Sequence, residues 1–207
     1  MNSLVDFFLQ AYADTPYGLI VLEALAFVLG IASVVYAQKV NIWVYPVGLV
    51  STVITVYLLY RASYFGDMMM NVYYSAMSIY GWWNWARRKE DRPLVPVSRT
   101  NSRERWIGLA MCLVTMVITY LVYVLADYQL AAENYIDVFT SGIFFTAMWF
   151  MANKKIEHWM LWIFADLITV PLYAYRGLGM LSLQYLIFTI LAIQGLIAWR
   201  KALHNQH

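Results

Sequence analysis

Charge is what this sequence has least of: Asp, Glu, Lys and Arg make up only 13% of its 207 residues, about half the share of an average soluble protein. Such a chain cannot cover itself with an ordinary solvated surface, so lipid is its expected surrounding. Cysteine is nearly absent too. Cys112 stands alone, which excludes an intrachain disulfide and a cysteine metal cluster, and it reads as one more apolar position inside a helix. No Lys or Arg precedes Lys39, so the positive region of a secretory signal peptide is missing and the first apolar segment is expected to stay in the mature protein. The phosphate loop G-x-x-x-x-G-K-S/T, the zinc helix H-E-x-x-H and the nucleophile elbow G-x-S-x-G are missing as well. Of the three histidines, His204 and His207 lie in the tail. His158 follows Glu157 at a helix start, where a solvated or capping role is expected rather than metal ligation. The chain is therefore read as a non-enzyme, with no catalytic or metal residue and no cofactor assigned. Without an ATP motif, transport energy would come from a gradient, an ion or trapping of the solute.

What the chain does have is apolar length: 62% of its residues are hydrophobic and 17% aromatic, with a mean hydropathy of +0.58. A span needs about 20 apolar residues, and runs of that size fall at 17–37, 42–61, 67–86, 105–126, 136–153, 158–175 and 178–199. They use almost the whole chain and leave no room for a separate catalytic domain. Ahead of them, Leu4, Phe7, Phe8, Ala11 and Tyr12 follow helical spacing and suggest a short interfacial helix. Alternating the loops with the N-terminus outside puts twelve of the 14 Lys and Arg inside, leaving only Arg61 and Arg176 outside. That asymmetry fixes the expected orientation, N-terminus outside and C-terminus cytoplasmic. The chain divides into an interfacial segment 1–16, a first three-helix repeat 17–88, a basic cytoplasmic loop 89–104, a linker helix with outer loop 105–134, and a second repeat with tail 135–207.

The word repeat rests on recurring residues. Lys39, Trp43 and Tyr57 recur 116 positions later as Lys155, Trp159 and Tyr173, and Gly81 and Trp85 recur 114 later as Gly195 and Trp199. With an odd fourth span between them, both triplets enter the membrane in the same direction. The expected fold class is an all-α membrane protein of seven transmembrane helices in a 3+1+3 parallel-repeat arrangement, a layout in which solutes bind near the midplane between repeats.

Two helical faces carry the candidate binding residues. In the sixth span Trp159, Trp162, Asp166, Thr169 and Tyr173 share a face. A carboxylate inside a span costs several kcal/mol unless it faces a cavity or a partner, which makes Asp166 the leading site residue. In the third span Asn71, Tyr74, Ser78, Trp82 and Trp85 align. A Trp or Tyr face attracts a cationic heterocycle by stacking and cation–π contact, and amides or hydroxyls then orient it. An interfacial aromatic belt accounts better for Trp82, Trp83 and Trp85, with Trp85 an anchor beside Arg87. Gln184 and Gln194 sit ten residues apart on one face, and Glu23 is a second carboxylate in a span. Each is balanced between ligand contact and helix–helix hydrogen bonding. Pro171 removes a helix hydrogen bond beside Asp166.

These residues fall in segments that resemble the PnuC family of vitamin-precursor transporters. The resemblance lies in Asn41-Ile42-Trp43-Val44-Tyr45-Pro46-Val47-Gly48, Tyr80-Gly81-Trp82-Trp83-Asn84-Trp85, Trp159-Met160-Leu161-Trp162 with Val170-Pro171-Leu172-Tyr173, and Gln184-Tyr185-Leu186-Ile187-Phe188. It implies a SWEET-like fold, a homotrimer in a bacterial inner (plasma) membrane, and facilitated diffusion of nicotinamide riboside made one-way by cytoplasmic phosphorylation. Thiamine is the substrate of related members and is the alternative; a receptor or scaffold without flux is the alternative of another class. Where nicotinamide riboside members tend to have Gln and Asn, this chain has Asn71 and Asp166. The expected binding set is Trp159, Trp162, Asp166, Tyr173, Asn71, Tyr74, Ser78, Gln184 and Trp43, with the lipid bilayer as surroundings and no nucleic-acid partner.

Overall fold

A computed structural model describes residues 15–61, 65–89, 92–93, 95–125, 131–176 and 179–205. The expected interfacial helix at Leu4 to Tyr12 lies outside the described residues. Among the described residues seven helices carry the fold: α1 (Tyr17–Gln38), α2 (Val44–Arg61), α3 (Phe65–Ala86), α4 (Ser102–Leu125), α5 (Ala132–Ala152), α6 (Glu157–Tyr175) and α7 (Gly179–His204). They coincide with the seven apolar segments of the sequence to within a few residues. The basic loop adds a short antiparallel pairing of β1 (Arg88–Lys89) with β2 (Arg92–Pro93).

Among the described residues, five helices are long and apolar enough to cross a membrane: α1, α2, α4, α5 and α7. The other two, α3 and α6, have the length, with 22 and 19 residues. At 1.5 Å per residue that is about 33 and 28 Å, near the thickness of a hydrocarbon core. Composition holds them back, since α3 contains Asp67, Asn71, Ser75, Ser78 and Asn84, and α6 contains Glu157, His158 and Asp166. The polar content sits on the two helices that bear the candidate site.

Neighbouring helices pack in sequence, α1 on α2 on α3 and α5 on α6 on α7, and the two triplets meet where α1 touches α7 and α3 touches α5. Helix α4 packs mainly on α5. Its other side leaves Trp106, Leu109, Leu113, Val117 and Leu121 exposed, an apolar surface suited to lipid. Nine residues of α5 are buried, which puts this helix at the centre of the bundle.

The two triplets share their contacts in one register. Helix α1 ends with Val40 at φ 53° and α5 with Lys154 at φ 51°. Both ends close by the same pair of backbone bonds: Val40 N–H to Ala37 and Asn41 N–H to Tyr36, Lys154 N–H to Met151 and Lys155 N–H to Phe150. This is the Schellman closure, which normally carries glycine at the left-handed position. Tyr45 lies against Gly81 and meets Trp85 edge-on at 5.0 Å, while Trp159 lies against Gly195 and meets Trp199 edge-on at 5.8 Å. Trp85 Nε1 donates to the Met151 carbonyl at 3.3 Å, and Trp199 Nε1 donates to the Ala37 carbonyl at 2.9 Å. Every one of these pairs is related by a shift of 114 residues. The counterpart of Trp159 is therefore Tyr45, not Trp43, and the counterpart of Lys155 is Asn41, not Lys39.

The segment before α4 is clasped to the loop before α6. Ser98 N–H donates to Lys154 and Ile156 N–H donates to Ser98, each at 3.0 Å. Lys155 Nζ adds a 2.8 Å ion pair with Glu104, and Thr100 N–H donates to Glu157 Oε2 at 3.0 Å. Asn101 and Glu104 cap α4 reciprocally, side chain to backbone, at 2.8 and 2.9 Å.

Candidate functional site

A cavity of about 2360 Å³ runs through the bundle, from Pro16, Arg61 and Arg176 near one end to Ala37, Tyr45 and Trp159 near the other. It is larger than the 300–1,000 Å³ usual for a small ligand, as a vestibule leading to a site would be. Asn71, Tyr74, Ser78, Trp159, Trp162, Asp166, Tyr173 and Gln184 all line it. Helices α3, α6 and α7 thus bring eight of the nine expected residues to one space.

Trp43 is the exception. It is 58% exposed and does not line the cavity. The repeat reading matched it to Trp159 across a shift of 116, and the packing register of 114 gives that place to Tyr45. Tyr57, matched to Tyr173 by the same shift, is likewise exposed. Two other expectations are corrected. Trp85 is no interfacial anchor but a core residue, 5% exposed, and the Arg87 guanidinium instead lies 4.4 Å from the Trp83 ring and donates to Asn84. His158 is fully buried rather than solvated, with rings of Trp159 and Trp199 at 4.4 and 4.7 Å and Nδ1 2.6 Å from the Lys155 carbonyl. Of the two glutamines, Gln194 is exposed and Gln184 alone reaches the cavity.

Asp166 sits on α6 at 2% exposure, yet it lines the cavity. Among the described residues nothing makes an ion pair or side-chain hydrogen bond with its carboxylate, the two ion pairs being Lys155–Glu104 and Arg176–Asp137. One turn on, Thr169 spends its hydroxyl on the Ala165 carbonyl at 2.8 Å. Pro171 leaves α6 unbroken; the carbonyl it deprives of a donor is that of Leu167, while Ser182 Oγ of α7 donates to the Val170 carbonyl at 2.9 Å and ties the two helices together.

Aromatic rings form a continuous run beside this carboxylate. Tyr74 lies 6.2 Å from Trp162, Trp162 5.4 Å from Phe144, Phe144 6.0 Å from Tyr185, and Tyr185 stacks on Tyr173 at 5.3 Å. Phe144 was not singled out by the sequence, because α5 is apolar over most of its length and offers no contrast. Tyr185 lay next to Gln184 in the closing motif, which was its only signal. The Trp159 indole Nε1 is buried without a partner, a donor left over in a cavity wall.

At the end of the cavity, Arg176 holds Asp137 through both guanidinium nitrogens, at 3.2 and 2.6 Å, and Tyr123 Oη of α4 donates to the same carboxylate at 3.2 Å. Burial by itself would lower the Arg176 pKa, but the hydrogen bonds and charge of Asp137 outweigh it and raise the value. No group of three metal-ligating side chains occurs among the described residues.

A bundle of membrane-length helices around a long cavity, with an aromatic wall and a deeply buried acid that has no partner among the described residues, has the build of a polytopic solute-handling membrane protein. The chain belongs to the nicotinamide mononucleotide transporter family, whose model matches residues 20–201. It is 24% identical to the nicotinamide riboside transporter PnuC of Escherichia coli, over 88% of this chain and 86% of that protein. It is 25% identical to the riboflavin/roseoflavin transporter RibM of Streptomyces davaonensis, over 83% and 81%. The crystal structure of the vitamin B3 transporter PnuC matches its fold with a TM-score of 0.71 at 23% identity, covering 96% of this chain and 86% of that one. Membership makes the protein a multi-pass membrane transporter of the vitamin-precursor type.

Proposed function

We propose that the protein takes up nicotinamide riboside by facilitated diffusion, with trapping of the solute by phosphorylation in the cytoplasm. The observation that carries this reading is Asp166, buried at 2% exposure and unpaired beside the run of Tyr74, Trp162, Phe144, Tyr185 and Tyr173. A buried carboxylate without a cationic partner is costly, and a cationic ring entering the cavity supplies that partner. The rings then stack on it, while Asn71, Ser78 and Gln184 offer hydrogen bonds to a ribose or carboxamide. Thiamine carries a cationic ring too and is the second reading. The flavin of the Streptomyces relative is neutral and gives Asp166 no such role.

In this reading the helices form a 3+1+3, SWEET-like carrier of two parallel repeats, supported by the contacts that recur at a shift of 114. It assembles as a homotrimer in a bacterial inner membrane with its N-terminus outside and its C-terminus in the cytoplasm. The test is binding of nicotinamide riboside and thiamine to purified protein, followed by counterflow in proteoliposomes. Tight binding without flux would turn the reading into a receptor, and conversion of the solute in detergent would make the protein an enzyme. Binding of neither compound would overturn the substrate.

A further inference from the structure

A second cavity, of about 560 Å³, lies apart from the large one and is walled by Lys39, Asn41, Trp85 and Lys154 among others. It stands where the two Schellman closures meet α3, so its lysines come from the ends of α1 and α5, one from each triplet. Lys154 is the unusual residue. It is only 5% exposed, and its Nζ lies 4.6 Å from the Trp85 ring centroid. Among the described residues it has no hydrogen bond or ion pair through that amine, although its neighbour Lys155 has both. Its backbone stays left-handed at φ 51°, a conformation that costs a lysine about 1–2 kcal/mol. Burial pushes the Lys154 amine below its ordinary pKa, the response of a cation desolvated without a counter-charge.

A ring face gives such an amine partial relief, but it does not neutralise it. Lys39 is exposed at the rim and is also without an ion pair among the described residues. Two unpaired amines on one cavity, one of them buried, form a binding place for a small dianion. Trp85 supplies a flat wall, and Asn41 is held in place by the 3.0 Å bond from the Trp43 N–H to its Oδ1.

We infer that this cavity binds a phosphate group, gripped between Lys39 and Lys154 and so bridging the ends of the two triplets. The group could arrive on a soluble phosphate ester or as a phospholipid headgroup. The site is separate from the substrate cavity, and its existence does not depend on which solute is carried.

Thermal unfolding of the full chain in phosphatidylcholine nanodiscs tests this, with inorganic phosphate and a nucleoside 5′-monophosphate compared against chloride at equal ionic strength. Wild type is expected to gain melting temperature with either phosphate, and Lys39→Gln and Lys154→Asn are expected to lose that gain. Lys201→Gln, in the last turn of α7, should keep it. Asparagine tolerates the left-handed backbone, and Lys39 is exposed, so at least one variant stays folded. If the lysine-dependent gain appears only on exchanging phosphatidylcholine for phosphatidylglycerol, the occupant is a headgroup. Equal shifts in wild type and both lysine variants, with soluble phosphate and with phosphatidylglycerol alike, would overturn the inference.

Discussion

Replacing Asp166 by Asn keeps the size of the side chain and removes its charge, so it separates two effects that act with opposite sign. In the empty protein the carboxylate is 2% exposed with no ion-pair partner among the described residues. An amide is cheaper to bury than a charge, which costs several kcal/mol at such depth, so Asp166→Asn is expected to melt higher in detergent. With a cation bound the effect reverses. Two unit charges 4 Å apart attract by about 4 kcal/mol at an effective dielectric constant of 20. The cation sheds water to enter, so the net loss is nearer the ~1.5–3 kcal/mol of a charge-assisted hydrogen bond. At about 1.4 kcal/mol per decade, nicotinamide riboside should bind roughly 10- to 100-fold more weakly. Calorimetric titration can measure this against the reduced, uncharged form of the same nucleoside, whose affinity should barely change. Equal weakening of both forms would reduce Asp166 to a structural residue. Unchanged affinity for the cation in Asp166→Asn, together with unchanged affinity in Trp162→Ala, would remove the site altogether.

Trp162→Ala takes away the ring between Tyr74 and Phe144; at about 1–3 kcal/mol per stacked ring, charged and uncharged forms should both weaken in the same titration. A methyl group on Gly195 would stand 2.6 Å from the Trp159 ring, and one on Gly81 would collide with the Tyr45 ring. Each Gly→Ala variant should therefore lose about 1–3 kcal/mol to overpacking, read as a lower melting temperature. Asp137→Asn breaks the pair with Arg176, whose side chains are 20% and 23% exposed. Its cost should be about 1 kcal/mol and shrink as salt is added, which melting at two ionic strengths would check. A cysteine placed at exposed Arg200 in a Cys112→Ser background should react with a membrane-impermeant maleimide in inverted vesicles and not in intact cells; the reverse would invert the orientation.

Helix positions were legible because span-length apolar runs leave little freedom. Even α3 and α6, too polar to register among the five most apolar spans, stood out as runs of span length. Their polar residues were legible too, since Asn71 and Asp166 stand out against apolar neighbours, and the fold brings both to one cavity. The internal register was legible only in part. Identical letters align Trp43 with Trp159, but packing aligns the ring that lies on glycine, and that ring is Tyr in one triplet and Trp in the other. Sequence identity therefore misplaced Trp43 by two positions, enough to turn a helix-start residue from core to surface. His158 and Trp85 were misread for a related reason: being near a helix end usually means solvent or headgroups, whereas here Trp85 is buried in a cluster with Val97, Ile156, Trp159 and Trp199, and His158 lies against the last two rings.

The paired bonds of Trp85 to Met151 and of Trp199 to Ala37 also bear on how the protein is made. Trp85 leaves the ribosome 66 residues before its acceptor, and the Ala37 carbonyl precedes its donor by 162. At about 5–20 residues per second these gaps last roughly 3–13 s and 8–32 s. During that time the first three helices stand in the bilayer with their half of the seam unmade. The seam is thus completed only once α7 has been made, and a quality-control protease that senses unpaired membrane helices would have that interval in which to act.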